Sequence, residues 1–474
     1  MKALMGGVAL LMSLVGCATE ADVSNEIDSE VETATERNER KQLVASTRTS
    51  IAARGVKAIP PAPVVRSSLV ELGRALAFDK VLSGNRDVSC MTCHPASFAS
   101  GDGRHLSMGV TGTGVGPART GNFLEGEEGR NAPPFFNLHA LHTLFWDGRV
   151  AQLPNGDFVT PAGPLLTPAM KAVMEFGAIS VLPMFPVTAR DEMRGFGTGN
   201  ELSAIADSDL PQIWSKLMTR LGAIPKYRMM FEKAYPGTRF DNMTFAHASN
   251  AIGGFIVAKF EARDSAWDKF LRGNDDALAL EQLRGAEIFM RTCVNCHSDS
   301  TGSDQKFHNT ALAQFGPGPR NGGDGPTGRD DFGRERVTGQ ASDRYAFRTT
   351  PLRNVEFTAP FGHTGEIVGL EDFVRHYSVR QENGVPVGAI PGPAQNLREY
   401  DLTQVEERLW SSFVENTDEI IGSIDPLFAT GSPIQPEMVR PLTQFMLANT
   451  DRTSITNLAT VTPATVPSGL PVAD

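Results

Sequence analysis

Apolar residues recur at helical spacing in four stretches of the chain. Across Ser67–Asp79 (SSLVELGRALAFD), Leu69, Leu72, Leu76 and Phe78 fall near one face, which predicts a helix. Asn250–Leu271 is a second such stretch, and Ala277–Met290 a third. In the fourth, Leu370, Phe373, Val374 and Tyr377 stand at i, i+3, i+4 and i+7 and share a face. His376 is turned ~100° from that face and should point elsewhere. Alternation of period two is scarce, so the predicted class is mainly α with little sheet. The 46 Gly and 31 Pro imply long loops between modest helices. No internal apolar run approaches the ~20 residues of a membrane span.

The two ends read differently from the middle. Residues 1–17 (MKALMGGVALLMSLVGC) place Lys2 before a short apolar run, the shape of a secretory signal. The closing Leu14-Val15-Gly16-Cys17 resembles the bacterial lipoprotein signal, in which Cys17 is acylated; the alternative is a secreted signal with an incidental Cys. Several acyl chains on Cys17 would give a stable lipid anchor, and Ala18 favours outer-membrane sorting. The expected location is the cell envelope, as a periplasmic or outer-membrane-attached lipoprotein. Residues 18–58 are polar and charge-rich, as in a flexible tether. Residues 451–474 are rich in Thr, Pro and Val and read as a loose tail.

The 474 residues suit two or three domains. With 41% hydrophobic and 21% charged residues, the chain has the composition of a globular protein. The net charge of −11 argues against non-specific nucleic-acid binding, which needs a basic face.

Apart from Cys17, the cysteines form Cys90-Met91-Thr92-Cys93-His94 and Cys293-Val294-Asn295-Cys296-His297. C-x-x-C-H is the attachment pattern of c-type haem. Two thiols bond the haem vinyl groups, and the following His ligates the iron. A redox disulfide needs no following His, and zinc needs four converging ligands. The reading is therefore two covalent haems, with His94 and His297 as proximal ligands. The motifs lie far apart in the chain, so each haem has its own domain. The expected boundaries are 59–250 for the first haem domain and 251–450 for the second.

The ordered set of motifs resembles the bacterial di-haem cytochrome c peroxidase and MauG superfamily over roughly residues 60–450. It comprises LGRALAFDKVLSGNRDVSCMTCHPASFASGDGRH, Arg130-Asn131-Ala132-Pro133, Phe145-Trp146-Asp147-Gly148-Arg149, the second haem motif, Phe332-Gly333-Arg334 and FRTTPLRNVEFTAPFGHTGEIVGLEDFVRHY. The resemblance implies two cytochrome c-like haem domains. The N-terminal haem would react with peroxide and the C-terminal one would pass electrons. Trp146 matches the Trp that mediates transfer between them, and it would also serve as a core aromatic.

The family's pocket acid is a Glu six residues after a Pro and followed by Met. Pro186, Glu192 and Met193 fit; Pro164 leads only to Met170, and Glu175 is held in reserve. The family's pocket Gln is replaced by Leu182. The family's distal His position holds Phe123, which cannot ligate iron. That departure implies an open N-terminal haem that needs no reductive activation. His105 is the nearest alternative ligand, though a loop role suits it better.

The resemblance places the sixth ligand of the C-terminal haem fourteen residues after His363, at Tyr377. Peroxidases usually carry Met there, and MauG carries Tyr. If Tyr377 is an ordinary core residue, Met438 or Met446 would ligate instead. A phenolate favours ferric iron, whereas a thioether raises the potential. The family's Ca²⁺ site between the domains matches Asn131, Thr358 and Pro360. So few protein oxygens imply coordination completed by water.

His139 and His142, three residues apart on an expected helix, are read as packing or solvent-facing. Gly316–Arg329 lacks the lysine-serine ending of a phosphate loop and is read as a plain loop.

Three functions follow. The leading one is a di-haem peroxidase that reduces hydrogen peroxide to water with electrons from a small cytochrome c or cupredoxin. The second is a MauG-like enzyme that oxidises a protein or peptide. MauG's surface Trp two residues before the second haem motif is Arg291 here, so that route is absent. The third is a non-enzymatic electron carrier, disfavoured by Glu192 and by the open first haem.

Overall fold

The computed structural model describes residues 32–312, 323–325, 328, 330–377, 380–382, 385–387, 419–420, 422–429 and 434–473. Residues 1–17 and Cys17 lie outside them, as does much of Gly316–Arg329. Among the described residues, no helix is long and apolar enough to cross a membrane.

Buried side chains gather into two cores. The first takes residues from Leu69 to Ala262, and the second takes residues from Trp267 to Ala448. In each, a helix crosses a partner at a glycine. The helix Ser67–Phe78 lies on Phe245–Lys259, and a Cβ at Gly73 would meet the Ala251 carbonyl at 1.8 Å. The helix Leu280–Thr292 lies on Pro436–Leu447, and a Cβ at Gly285 would meet the Pro441 carbonyl at 2.0 Å. Any side chain there would wedge the helices apart. Leu72-Gly73-Arg74-Ala75 and Leu283-Arg284-Gly285-Ala286 are thus two copies of one packing device, each ahead of a haem motif. Reading the sequence alone missed this repeat.

Several expected boundaries move. The predicted Asn250–Leu271 helix is two, Phe245–Lys259 and Ala266–Leu271, with Ser265 capping the second. The expected division at 250 falls inside a helix wholly within the first core; the cores part between Ala262 and Trp267. The third predicted helix runs Leu280–Thr292. His139 sits in a single 3₁₀ turn and His142 precedes a strand, rather than both lying on one helix.

The expected tether and tail are both corrected in part. Ala34–Arg54 is a helix opened by a Thr33/Glu36 capping box. Its Leu43, Val44 and Ile51 pack on the second core, with Val56 buried in it. Arg40 donates to the Leu278 carbonyl at 2.8 Å, and Arg284 pairs with Glu39 at 2.7 Å. High charge hid a sparse apolar stripe whose charged neighbours find partners. Residues 452–457 form a helix capped by Asp451, and Leu458, Val461 and Val466 enter the first core. Ser468 donates to Asp79 at 2.6 Å. Each end of the described chain therefore packs on the core more distant in sequence.

Sheet is confined to short antiparallel pieces. Thr143–Leu144, Val150–Gln152 and Phe158–Val159 form the largest, with Leu144 opposite Val150. The tip between the first two strands is Phe145-Trp146-Asp147-Gly148-Arg149. The far half of the chain grips this tip. Arg348 N–H donates to the Trp146 carbonyl at 2.8 Å, and the Arg334 guanidinium donates to the Asp147 and Gly148 carbonyls. Arg130 bonds Asp147 at 2.6 Å and forks onto Asp331 at 2.7 and 2.8 Å.

Against the cost of burial, Arg149 and Arg130 hold the Asp147 carboxyl far below the usual range, and Arg130 lowers Asp331. A depressed carboxylate contributes stability above its unfolded pKa, near ~3.9, and loses it as pH falls through the folded value. Arg130→Leu strands the buried Asp331 carboxylate, leaves Asp147 with Arg149 alone, and is expected to cost about 3–5 kcal/mol. Denaturant unfolding at neutral pH checks this, and the deficit should already shrink as pH falls toward about 4, because a stranded buried carboxylate takes up a proton above its ordinary pKa of ~3.9, while the paired one does not.

Candidate haem centres

The two C-x-x-C-H segments adopt the same turn. His94 N–H donates to the Cys90 carbonyl at 3.1 Å, and His297 N–H to the Cys293 carbonyl at 3.0 Å. The first is a short helix, Cys90–Cys93, opened by a Ser89/Thr92 capping box. Each imidazole is then fixed through Nδ1: His94 on the Ser100 carbonyl at 2.8 Å, His297 on the Gly302 carbonyl at 2.7 Å. That bond leaves Nε2 for a metal, the usual device for orienting a ligating histidine. Burial pushes His94 down to about 4 and lowers His297, so both rings are neutral, as a ligand must be. His94 also stacks on Phe135, ring centres 4.0 Å apart. Burial lifts the Cys90 thiol to about 12 and Cys293 to about 11, which disfavours a reactive thiolate pair.

Cys293, Cys296 and His297 line a cavity of about 790 Å³. Leu370, Phe373, Val374 and Tyr377 all line it, so the face read from periodicity is the face presented. His376 instead bonds the Thr310 carbonyl at 2.7 Å. The Tyr377 hydroxyl has no hydrogen bond among the described residues. Burial, with Cys293 and Cys296 nearby, raises it above the ordinary phenol value. Met438 and Met446 line the same cavity.

The cavity walls suit a haem. Arg348 lines it fully buried, pushed down to about 10 by burial, and bonds only carbonyls among the described residues. The buried Nε2 of His363 has no partner there. A carboxylate-bearing planar group would answer both needs. Cys296, Asp304 and His308 also converge, their ligand atoms within 4.8 Å. Against burial, Asp304, Cys296 and Asp425 hold His308 protonated up to about 11, which removes it as a metal donor.

Trp146 lies at the tip between the strands Thr143–Leu144 and Val150–Gln152. It lines this cavity, donates Nε1–H to the Asn131 carbonyl at 2.8 Å, and meets His363 edge-on at 6.3 Å. Its neighbour Phe145 packs on the first core. Asn131, Thr358 and Pro360 line the cavity as well. Asn131 uses its amide N–H on the Arg104 carbonyl at 2.8 Å, leaving Oδ1 without a hydrogen bond among the described residues. That free oxygen suits a hard cation.

Glu192 sits in a π-helical turn, Arg190–Arg194, and acts electrostatically on both Cys90 and Cys93. Burial raises its pKa, Arg149 opposes the shift, and Asp147 adds to it. Glu175 lies elsewhere, paired with Arg66 at 2.6 Å and bonded by Asn250. Leu182 packs on the first core. His105 is buried, its Nδ1 engaged by the Gly365 carbonyl. Phe123 opens the short helix Phe123–Gly126. Sequence reasoning missed Arg348 and Glu128; the latter lies two residues before the Arg130-Asn131-Ala132-Pro133 motif.

A profile of the di-haem cytochrome c peroxidase family matches residues 67–276. The cytochrome c551 peroxidase of Pseudomonas aeruginosa is 30% identical over 309 residues, covering 64% of this chain and 70% of its own. Cytochrome-c peroxidase IdrP2 of Pseudomonas sp. (strain SCT) is 26% identical over 399 residues, 80% and 88% of the two chains. Methylamine utilization protein MauG of Methylorubrum extorquens is 26% identical over 359 residues, 75% and 80%. Among solved structures, the diheme peroxidase BthA of Burkholderia thailandensis shares the fold, with TM-score 0.55, 18% identity, and coverage of 87% and 91%.

Proposed function

Because this chain belongs to the di-haem cytochrome c peroxidase family, we propose that it reduces hydrogen peroxide to water at the first of two haem c groups. Cys90, Cys93 and His94 would hold that haem, and Cys293, Cys296 and His297 the other. When bound, the haems supply a site for peroxide oxygen and a store of electrons. The observation that carries the reading is Glu192, a half-buried carboxyl whose pKa burial raises, in a turn bonded to the 107–110 segment, whose Met108 carbonyl lies 3.7 Å from Cys93 Sγ.

Glu192 takes the proton that peroxide gives up and returns it to the departing oxygen. Arg149, stacked on Phe145 at 3.7 Å and bonded to Asp147 at 3.0 Å, restrains how far that carboxyl rises. Trp146 would relay electrons between the two haem sites. Tyr377 would be a ligand to the second haem, and Asn131, Thr358 and Pro360 would hold a Ca²⁺. A small cytochrome c or cupredoxin would supply the electrons, and Cys17 would attach the protein to the envelope by lipid.

Tyr377 favours a second reading, a MauG-like oxidase of a protein or peptide. Arg291, exposed where that enzyme uses Trp, means that electrons would leave by another route. Either reading needs a peroxide-reactive first haem. Mixing the fully oxidised holoprotein with hydrogen peroxide in a stopped-flow spectrometer should change the haem spectrum without prior reduction. No change until an electron is supplied would overturn the open first haem.

A further inference from the structure

The peroxide pocket holds a second carboxyl. Glu128 N–H donates to the Ser107 carbonyl at 2.8 Å, Glu127 pairs with Met108, and Gly109 N–H donates to the Gly126 carbonyl at 2.7 Å. The other edge of the same extended segment carries Glu192. Val110 N–H donates to the Asp191 carbonyl at 3.0 Å. A Cβ at Gly109 would stand 2.1 Å from the Asp191 carbonyl oxygen and 2.6 Å from that of Glu192. The segment also touches the haem motif, since Cys93 Sγ lies 3.7 Å from the Met108 carbonyl. Residues 107–110 therefore hold Glu128, Glu192 and Cys93 around one space. Glu128 Oε1 is sealed from solvent and has no hydrogen-bond partner among the described residues.

We propose that Glu128 is a positioning residue of this pocket that shares one proton with Glu192, so that the pair, not Glu192 alone, carries the proton between the peroxide oxygens. The proposal rests on the peroxidase reading above. Two carboxyls that face one space and repel each other's charge resist ionising together, and their protons leave in two steps that belong to the pair. Burial raises Glu128 well above its ordinary value, with Glu192, Asp191 and Glu127 adding to the rise and Arg149 alone opposing it. Asp147 acts in the same sense on Glu192. Asp102 and Arg119, the other charges facing Cys93, are of opposite sign.

In the reaction, the O–O bond breaks and its electron pair goes to the distal oxygen. The proton released by the proximal oxygen crosses through the carboxyl pair to the distal one, which leaves as water. The remaining oxygen takes two solvent protons and two electrons, which two equivalents of a one-electron donor protein would supply. It leaves as the second water.

The test is an infrared pH titration of the oxidised holoprotein, following the carboxylic-acid C=O band. The wild type should keep one such proton to high pH. Glu128→Gln removes the neighbour that would otherwise share the charge, so the midpoint should fall by about one pH unit or more. Glu192→Gln, read on Glu128, should give the same fall, and Glu128→Asp should restore the midpoint. In stopped flow, the alkaline limb of the peroxide reaction should move down with Glu128→Gln and return with Glu128→Asp. A midpoint unmoved by Glu128→Gln overturns the proposal. A protein inert to peroxide with a shifted midpoint overturns the peroxidase reading but keeps the shared proton.

Discussion

Glu192→Gln is expected to slow the first reaction of the oxidised protein with hydrogen peroxide by about 10²–10⁴-fold. Breaking the O–O bond unevenly requires a proton on the departing oxygen, and Gln keeps the shape of the carboxyl while removing the proton it carries. Trp146→Phe should leave this step near its normal rate and slow the later oxidation of the second haem. The indole bonds the Asn131 carbonyl, faces His363 and lines the cavity of Cys293, Cys296 and His297. Stopped-flow spectra separate the two steps, because the haems should differ in spin state. A Trp146→Phe variant that blocks the first step, with Glu192→Gln leaving it untouched, would reverse the roles. Glu175 would be a poor replacement, since it is committed to Arg66 and Asn250.

Tyr377→Met is expected to raise the potential of the second haem by on the order of a few hundred millivolts, within the ~0.8 V range that axial ligands command. A phenolate stabilises ferric iron, and a thioether favours ferrous. The Tyr377 hydroxyl has no hydrogen bond among the described residues, and its ring is held by Phe373 and Phe428 at 5.9 and 5.7 Å. Tyr377→Phe should instead open the sixth position and convert that haem to high spin. Redox titration of each variant decides the matter. If neither substitution moves the potential, the ligand is one of the methionines on the same wall, with Met438 first.

The haem motifs were legible because their chemistry is local: five consecutive residues dictate thiol spacing, turn and ligand. The helix face ending in Tyr377 was legible for a similar reason, since one short helix lines one wall. What escaped depends on distant partners. Ala34–Arg54 looked like solvent-loving chain, because its stability comes from Leu43, Val44 and Ile51 on a core that begins more than two hundred residues later. The tail was misread likewise, because Val461 and Val466 find their core at the far end of the chain. Glu128 gave no signal in its own segment, and only the pairing of 107–110 with both 126–128 and 191 brings it to Glu192. Gly73 and Gly285 were visible as residues but not as crossings, because a glycine acquires that meaning only from the backbone opposite it.

The electron paramagnetic resonance spectrum of the fully oxidised holoprotein tests the central claim most directly, since it reports the ligation of both irons at once. An open first haem with Phe123 in place of the distal His, beside a second haem ligated by Tyr377, should give one high-spin and one low-spin ferric signal per chain. His105→Ala should leave that pattern unchanged, since His105 is read as a loop residue that ties its segment to the Gly365 carbonyl. Two low-spin ferric signals, one of them lost in His105→Ala, would contradict it.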